Sequence, residues 1–107
     1  MPVLAPAVLR DYITRIFVAA GVPDDDAAAV SHHLVEANQY GHDSHGVIRT
    51  STYVKWLKGG QVLAGRDIQI AFENEAIAVV DGQYGFGQTV GRQAMELGIA
   101  KCARHGV

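Results

Sequence analysis

Apolar residues recur at three- and four-residue steps near the start of the chain: Val8, Leu9, Tyr12, Ile13, Ile16, Phe17 and Ala20. That spacing draws one stripe along a helix and predicts α-helix from about Pro6 to Ala20. Gly21 follows, where a helix commonly ends. The stretch "VPDDDAAAV" then offers a proline and three acids, which suit the positive end of a second helix. This helix runs to about Gln39 with Ala27, Val30, Leu34 and Ala37 facing inward. A third helix is expected from Asp43 or Ser44, both good N-caps, to Gly59-Gly60. Its packing positions are read as Ile48, Thr52 and Trp56, with Val47, Val54 and Leu57 beside them.

The period then changes. "DIQIAFENEAIAVVDG" has apolar and β-branched residues on either side of "ENEA", which predicts a hairpin of Ile68 to Glu73 and Ala76 to Asp81. The loop "DGQYGFGQ" leads into a last helix from about Gly87 to His105, with Val90, Ala94, Leu97 and Ala100 or Lys101 as its stripe. The fold class is therefore α+β: three helices, a β-hairpin and a further helix. Residues 1–62 form a helical region, and residues 63–107 begin a second, α/β region.

Composition narrows the function classes. The chain has 107 residues, enough for one small domain, with 49% hydrophobic and 19% charged residues. A formal net charge of −2 gives no electrostatic case for nucleic acid or an anionic membrane. No apolar run approaches the roughly 20 residues of a membrane helix. One cysteine, Cys102, cannot form an internal disulfide, so a reducing cytoplasm is the expected location. At "AKCARHGV" a helical pattern meets glycine and then an apolar residue, the way a chain enters a following strand. The expectation is a piece cut from a larger architecture.

Candidate chemistry concentrates in "GHDSHGVIRT", Gly41 to Thr50. His42 and His45 flank Asp43 and Ser44, too few ligands for a closed zinc site. A third ligand would have to come from His32, His33 or sequence outside this chain, and no metal is expected. An acid–base reading fits better. On a helix begun by Ser44, His45 and Arg49 are four apart and share a face. Histidine exchanges a proton near neutral pH, and arginine's planar fork holds a carboxylate through two parallel hydrogen bonds. Ser44 would reach the imidazole only through a local turn or a water. Such pairs are common on helices, so spacing alone leaves a purely structural role ahead. The cluster Gly82, Gly85 and Gly87 has the order G-x-x-G-x-G after what looks like half a hairpin. It reads as a tight turn needing positive φ rather than as a phosphate-cradling loop. Cys102, in a helix beside Lys101 and Arg104, reads as a small helix residue.

"GHDSHGVIR", then Tyr53, a glycine pair and "AVVDGQYGFGQ" before a helix resemble the N-terminal part of the malate/L-lactate dehydrogenase family. The resemblance spans essentially the whole chain. It implies the front section of an NAD- or NADP-dependent oxidoreductase of small 2-oxo and 2-hydroxy acids, with a fold that is not the doubly wound dinucleotide fold. On matching positions His45 would be the proton donor, Ser44 part of its relay and Arg49 the holder of the substrate carboxylate. The 63–107 region would open the cofactor-binding part. Cofactor-binding residues are not assigned, because most such loops and the relay aspartate of the family lie in sequence beyond this chain. The resemblance further implies a homodimer for the full-length enzyme. The alternative is a noncatalytic helical binding or interaction module derived from such an enzyme.

Overall fold

The computed structural model describes residues 2–107. Helix α1 spans Pro6–Ala19 and starts on a proline at its first position, where the missing N–H costs nothing. It stops in a left-handed residue, Gly21 at φ 98°. The amides of Gly21 and Val22 turn back to the carbonyls of Val18 and Phe17, both at 3.0 Å. This closure satisfies end carbonyls and folds Val22 onto Phe17 within the core. Helix α2, Asp24–Gln39, has three acids in its first turn, as the dipole favours. It ends in the same way at Gly41, φ 80°, with His42 N–H donating to the Ala37 carbonyl at 2.8 Å. That second closure determines where the histidine segment leaves the helix.

The core lies between these two antiparallel helices and the residues that follow them. Phe17 is fully buried and Ile13, Val22, Ala27, Val30, Leu34 and Phe86 join it. The Phe17 ring meets Phe86 edge-on at 5.9 Å between centroids and Tyr53 at 6.4 Å. Burying one such ring contributes about 1.5–3 kcal/mol.

The third helix departs from expectation. Asp43–His45 and Val47–Arg49 are single 3₁₀ turns, and α3 proper is Thr50–Gly59. Gly46 separates the turns in an extended conformation, φ −90° and ψ −153°. The break resets the helical phase, so of the expected packing positions Val47, Val54 and Leu57 face inward while Ile48 and Trp56 do not. Val47, Tyr53, Val54 and Leu57 pack on the core. Ile48 is 70% exposed and Trp56 39% exposed.

The hairpin forms as an antiparallel pair, β1 Gln69–Glu73 and β2 Ala78–Asp81, with a bulge between Ile70 and Phe72. β2 begins later than its apolar pattern suggests. The Asn74 carboxamide oxygen accepts the N–H groups of Ala76 and Ile77, holding both in the turn. Every residue of β1 is exposed, Phe72 included. Helix α4 spans Gly87–His105 and buries Lys101, whose ammonium donates to the Asn74 carbonyl at 2.6 Å and meets Glu73 at 2.8 Å. The molecule measures 50 × 30 × 22 Å with a radius of gyration of 15.7 Å. A compact chain of this length would have about 13 Å, so the hairpin and the end of α4 extend beyond the helical core.

No helix among the described residues is long and apolar enough to cross a membrane.

Candidate functional site

The segment between α2 and α3 brings Ser44, His45 and Arg49 together by a route other than a shared helix face. The Ser44 hydroxyl lies 2.9 Å from His45 Nδ1. Arg49 Nε donates to the Ser44 carbonyl at 2.8 Å. Ser44 is therefore the hinge of the group: its side chain meets the imidazole, and its backbone holds the guanidinium. The local turn anticipated for Ser44 is the Asp43–His45 3₁₀ turn, closed by His45 N–H to the His42 carbonyl at 2.9 Å. With Nδ1 engaged by Ser44, His45 has Nε2 as its remaining proton-bearing position. The terminal nitrogens of Arg49 make no hydrogen bond among the described residues.

Ser44, Ile48, Arg49 and Thr52 line a cavity of about 350 Å³. Its walls combine a guanidinium, two hydroxyls and one apolar side chain, a lining that suits a small carboxylate. His45 is exposed and does not line this cavity; it joins it through Ser44. His42 stands edge-on to His45, with ring centroids 4.8 Å apart. No group of three or more potential metal-ligating side chains occurs among the described residues. His32 faces Arg10 on α1 and Glu36 on α2 instead.

Sequence reasoning passed over Asn38, in the last turn of α2. Its carboxamide donates to the Asp43 carboxylate at 2.7 Å and accepts from Val47 N–H at 2.8 Å. Gly46 is buried against it, and a Cβ there would overlap the Asn38 carboxamide. An asparagine three residues before a helix-ending glycine carries no spacing signal, so only the folded chain reveals this role.

The second motif meets α3 rather than the histidine segment. Gln88 Nε2 lies 3.4 Å from the Tyr53 hydroxyl, and Tyr53 stacks on Trp56 at 5.5 Å. These residues, with Val62 and Gly85–Gly87, enclose a second cavity of about 450 Å³. The glycine turn before α4 is tight, but positive φ falls on Gln83 (52°) and Tyr84 (60°) rather than on the glycines. Gly82 and Gly85 are needed for close approach instead: a Cβ on Gly82 would come within 2.9 Å of Val90, and one on Gly85 within 3.1 Å of the Gly82 carbonyl. The turn is also a poor seat for a pyrophosphate. Gln83 N–H is taken by the Asp81 carboxylate at 2.8 Å, and Gly85 N–H by the Gly82 carbonyl at 2.9 Å.

The sequence model of malate/L-lactate dehydrogenase matches residues 4–107. The chain belongs to the malate/L-lactate dehydrogenase family. L-sulfolactate dehydrogenase of Methanocaldococcus jannaschii is 39% identical over 105 residues, covering 98% of this chain and 30% of that protein. Among solved structures, malate dehydrogenase from Pyrococcus horikoshii OT3 superposes with a TM-score of 0.92 at 36% identity, over 96% of this chain and 30% of that one. Delta1-piperideine-2-carboxylate reductase from Pseudomonas syringae pvar. tomato superposes at 0.86 with 27% identity, over 97% and 31%. The chain thus spans about 30% of the length of these relatives and corresponds to an N-terminal portion of the malate/L-lactate dehydrogenase family fold.

Proposed function

We propose that this chain is the acid-and-clamp section of an NAD- or NADP-dependent oxidoreductase that interconverts small 2-oxo and 2-hydroxy acids. The observation that carries the reading is the Ser44–His45 contact at 2.9 Å with Arg49 held to the same serine, in a family of dehydrogenases. Arg49 binds the substrate carboxylate with its terminal nitrogens, a charge-assisted contact with directional fit. His45 Nε2 gives a proton to the carbonyl oxygen as negative charge grows there, and takes it back in oxidation. Ser44 holds Nδ1 and so aims Nε2, as a relay partner of the imidazole. No residue of this chain is assigned to the dinucleotide; in the glycine turn the Gln83 and Gly85 amides are taken internally. Residues 63–107 are, on this reading, the start of the region that goes on to bind it. The full-length enzyme is expected to act as a cytoplasmic homodimer, without nucleic acid or membrane partners.

The test follows NADH and NADPH oxidation with pyruvate, oxaloacetate and sulfopyruvate, using the 107-residue chain and the chain with any in-frame sequence after Val107. His45→Ala should lower turnover by roughly 10²- to 10⁴-fold. Arg49→Met should raise KM roughly ten- to hundredfold. Near-normal turnover in the His45 variant would remove it from the mechanism. Absence of both turnover and saturable dinucleotide binding in every form would favour a noncatalytic helical module.

A further inference from the structure

We propose that Asn38 is the positioning residue of the site, and that it sets His45 and Arg49 from the end of α2. The segment that carries both side chains is irregular: two 3₁₀ turns around an extended Gly46. Such a stretch has no continuous ladder of its own to hold its shape. Asn38 spans the break. Its Nδ2 donates to Asp43 at the start of the first turn, and its Oδ1 accepts from Val47 at the start of the second. Because one rigid carboxamide makes both bonds, the two turns keep a set distance from each other. The backbone supports it from the same helix end, with His42 N–H bonded to the Ala37 carbonyl at 2.8 Å.

Gly46 completes the arrangement by omission, since any side chain would occupy the carboxamide's place. Ser44 and His45 lie between the two bonded residues, and Arg49 lies two residues past the second. Shifting either turn therefore alters the Ser44–Arg49 contact and the aim of the imidazole. This inference rests on the proposed roles of His45 and Arg49, but it is read first by a measurement that needs no activity.

The measurement is amide exchange and histidine ring NMR on the 107-residue chain. Asn38→Ala should speed Val47 N–H exchange about tenfold and move the His45 ring resonances, with far-ultraviolet circular dichroism unchanged. Asp43→Ala keeps the Asn38 acceptor for Val47 while removing the partner of its Nδ2, so it should leave Val47 protected and reproduce only part of the His45 shift. Where turnover is measurable, Asn38→Ala should lower kcat about 10²-fold, with a smaller rise in KM for the dinucleotide than for the carboxylate substrate. Unchanged Val47 exchange and His45 resonances in Asn38→Ala would overturn the proposal. So would general loss of helix signal, which would make Asn38 a folding residue rather than a positioning one. A fully active His45→Ala alongside the predicted Val47 exchange would instead sink the functional reading and leave the Asn38 geometry standing.

Discussion

Replacing Gly46 by alanine isolates the packing between α2 and the histidine segment. The backbone at Gly46 has a negative φ, −90° with ψ −153°, so alanine meets no left-handed penalty there and the effect is chiefly steric. The new methyl would overlap the Asn38 carboxamide, which must swing away. Doing so breaks its bonds to Asp43 and Val47. Each such bond contributes about 0.5–1.5 kcal/mol net, giving a loss of roughly 1–3 kcal/mol. For a domain of this size that lowers Tm by about 4 to 20 °C. Thermal unfolding followed by circular dichroism measures it, in a double-mutant cycle with Asn38→Ala. With the carboxamide already gone, Gly46→Ala should cost less than about 0.5 kcal/mol, so the two changes must be strongly non-additive. Equal costs in both backgrounds would refute the reasoning, because the clash would then lie elsewhere.

Asp26 in the first turn of α2 has its pKa raised above the ordinary 3.8, by burial first, then by Asp67 and Asp25 against an opposing pull from Arg92. The folded state holds this proton more tightly, so its penalty is absent below the unfolded value and grows as pH rises through the folded one. Asp26→Asn should therefore raise Tm near pH 7 and leave it unchanged near pH 3; a gain of equal size at both would exclude charge as the cause. Lys101→Met should destabilise the chain by about 1–3 kcal/mol in urea titration, because it leaves the Asn74 carbonyl and Glu73 without their buried donor. An unchanged urea midpoint would show that the pair is replaced by water without loss.

The helices were legible because each rests on a local cause. A stripe at helical period gave α1 and α2, and Gly21 and Gly41 marked their ends. The stripe on α4 was read as far as Lys101, although its role as a buried cation anchoring the hairpin was not. The break at Gly46 was not legible, since it depends on Asn38, eight residues earlier. Treating Asp43 to Gly59 as one helix put Ile48 and Trp56, which the structure leaves exposed, on the apolar face beside Val47, Val54 and Leu57, which do pack on the core. His45 and Arg49 were expected to share a helix face, which does not exist, whereas the local turn expected to bring Ser44 to the imidazole does. A serine carbonyl and a serine hydroxyl bring them together instead. At the glycine turn a tight bend was expected and found, yet the positive φ falls on Gln83 and Tyr84, while Gly82 and Gly85 allow close approach.

The hairpin is tied to α4 by polar bonds: Gln93 to Ile68 N–H and to Asp67, and Lys101 to Asn74. Its strands bury only part of their apolar surface, with Ile70, Phe72, Ile77 and Val79 all near half exposed. Heat capacity of unfolding comes mainly from apolar surface newly wetted, so freeing these half-exposed strands adds less than opening the core. Calorimetry should find the large increment in the α1–α2–Phe86 core. Warming weakens the enthalpic ties of the hairpin while the apolar core is still holding, so the β-strands come loose from the helices first.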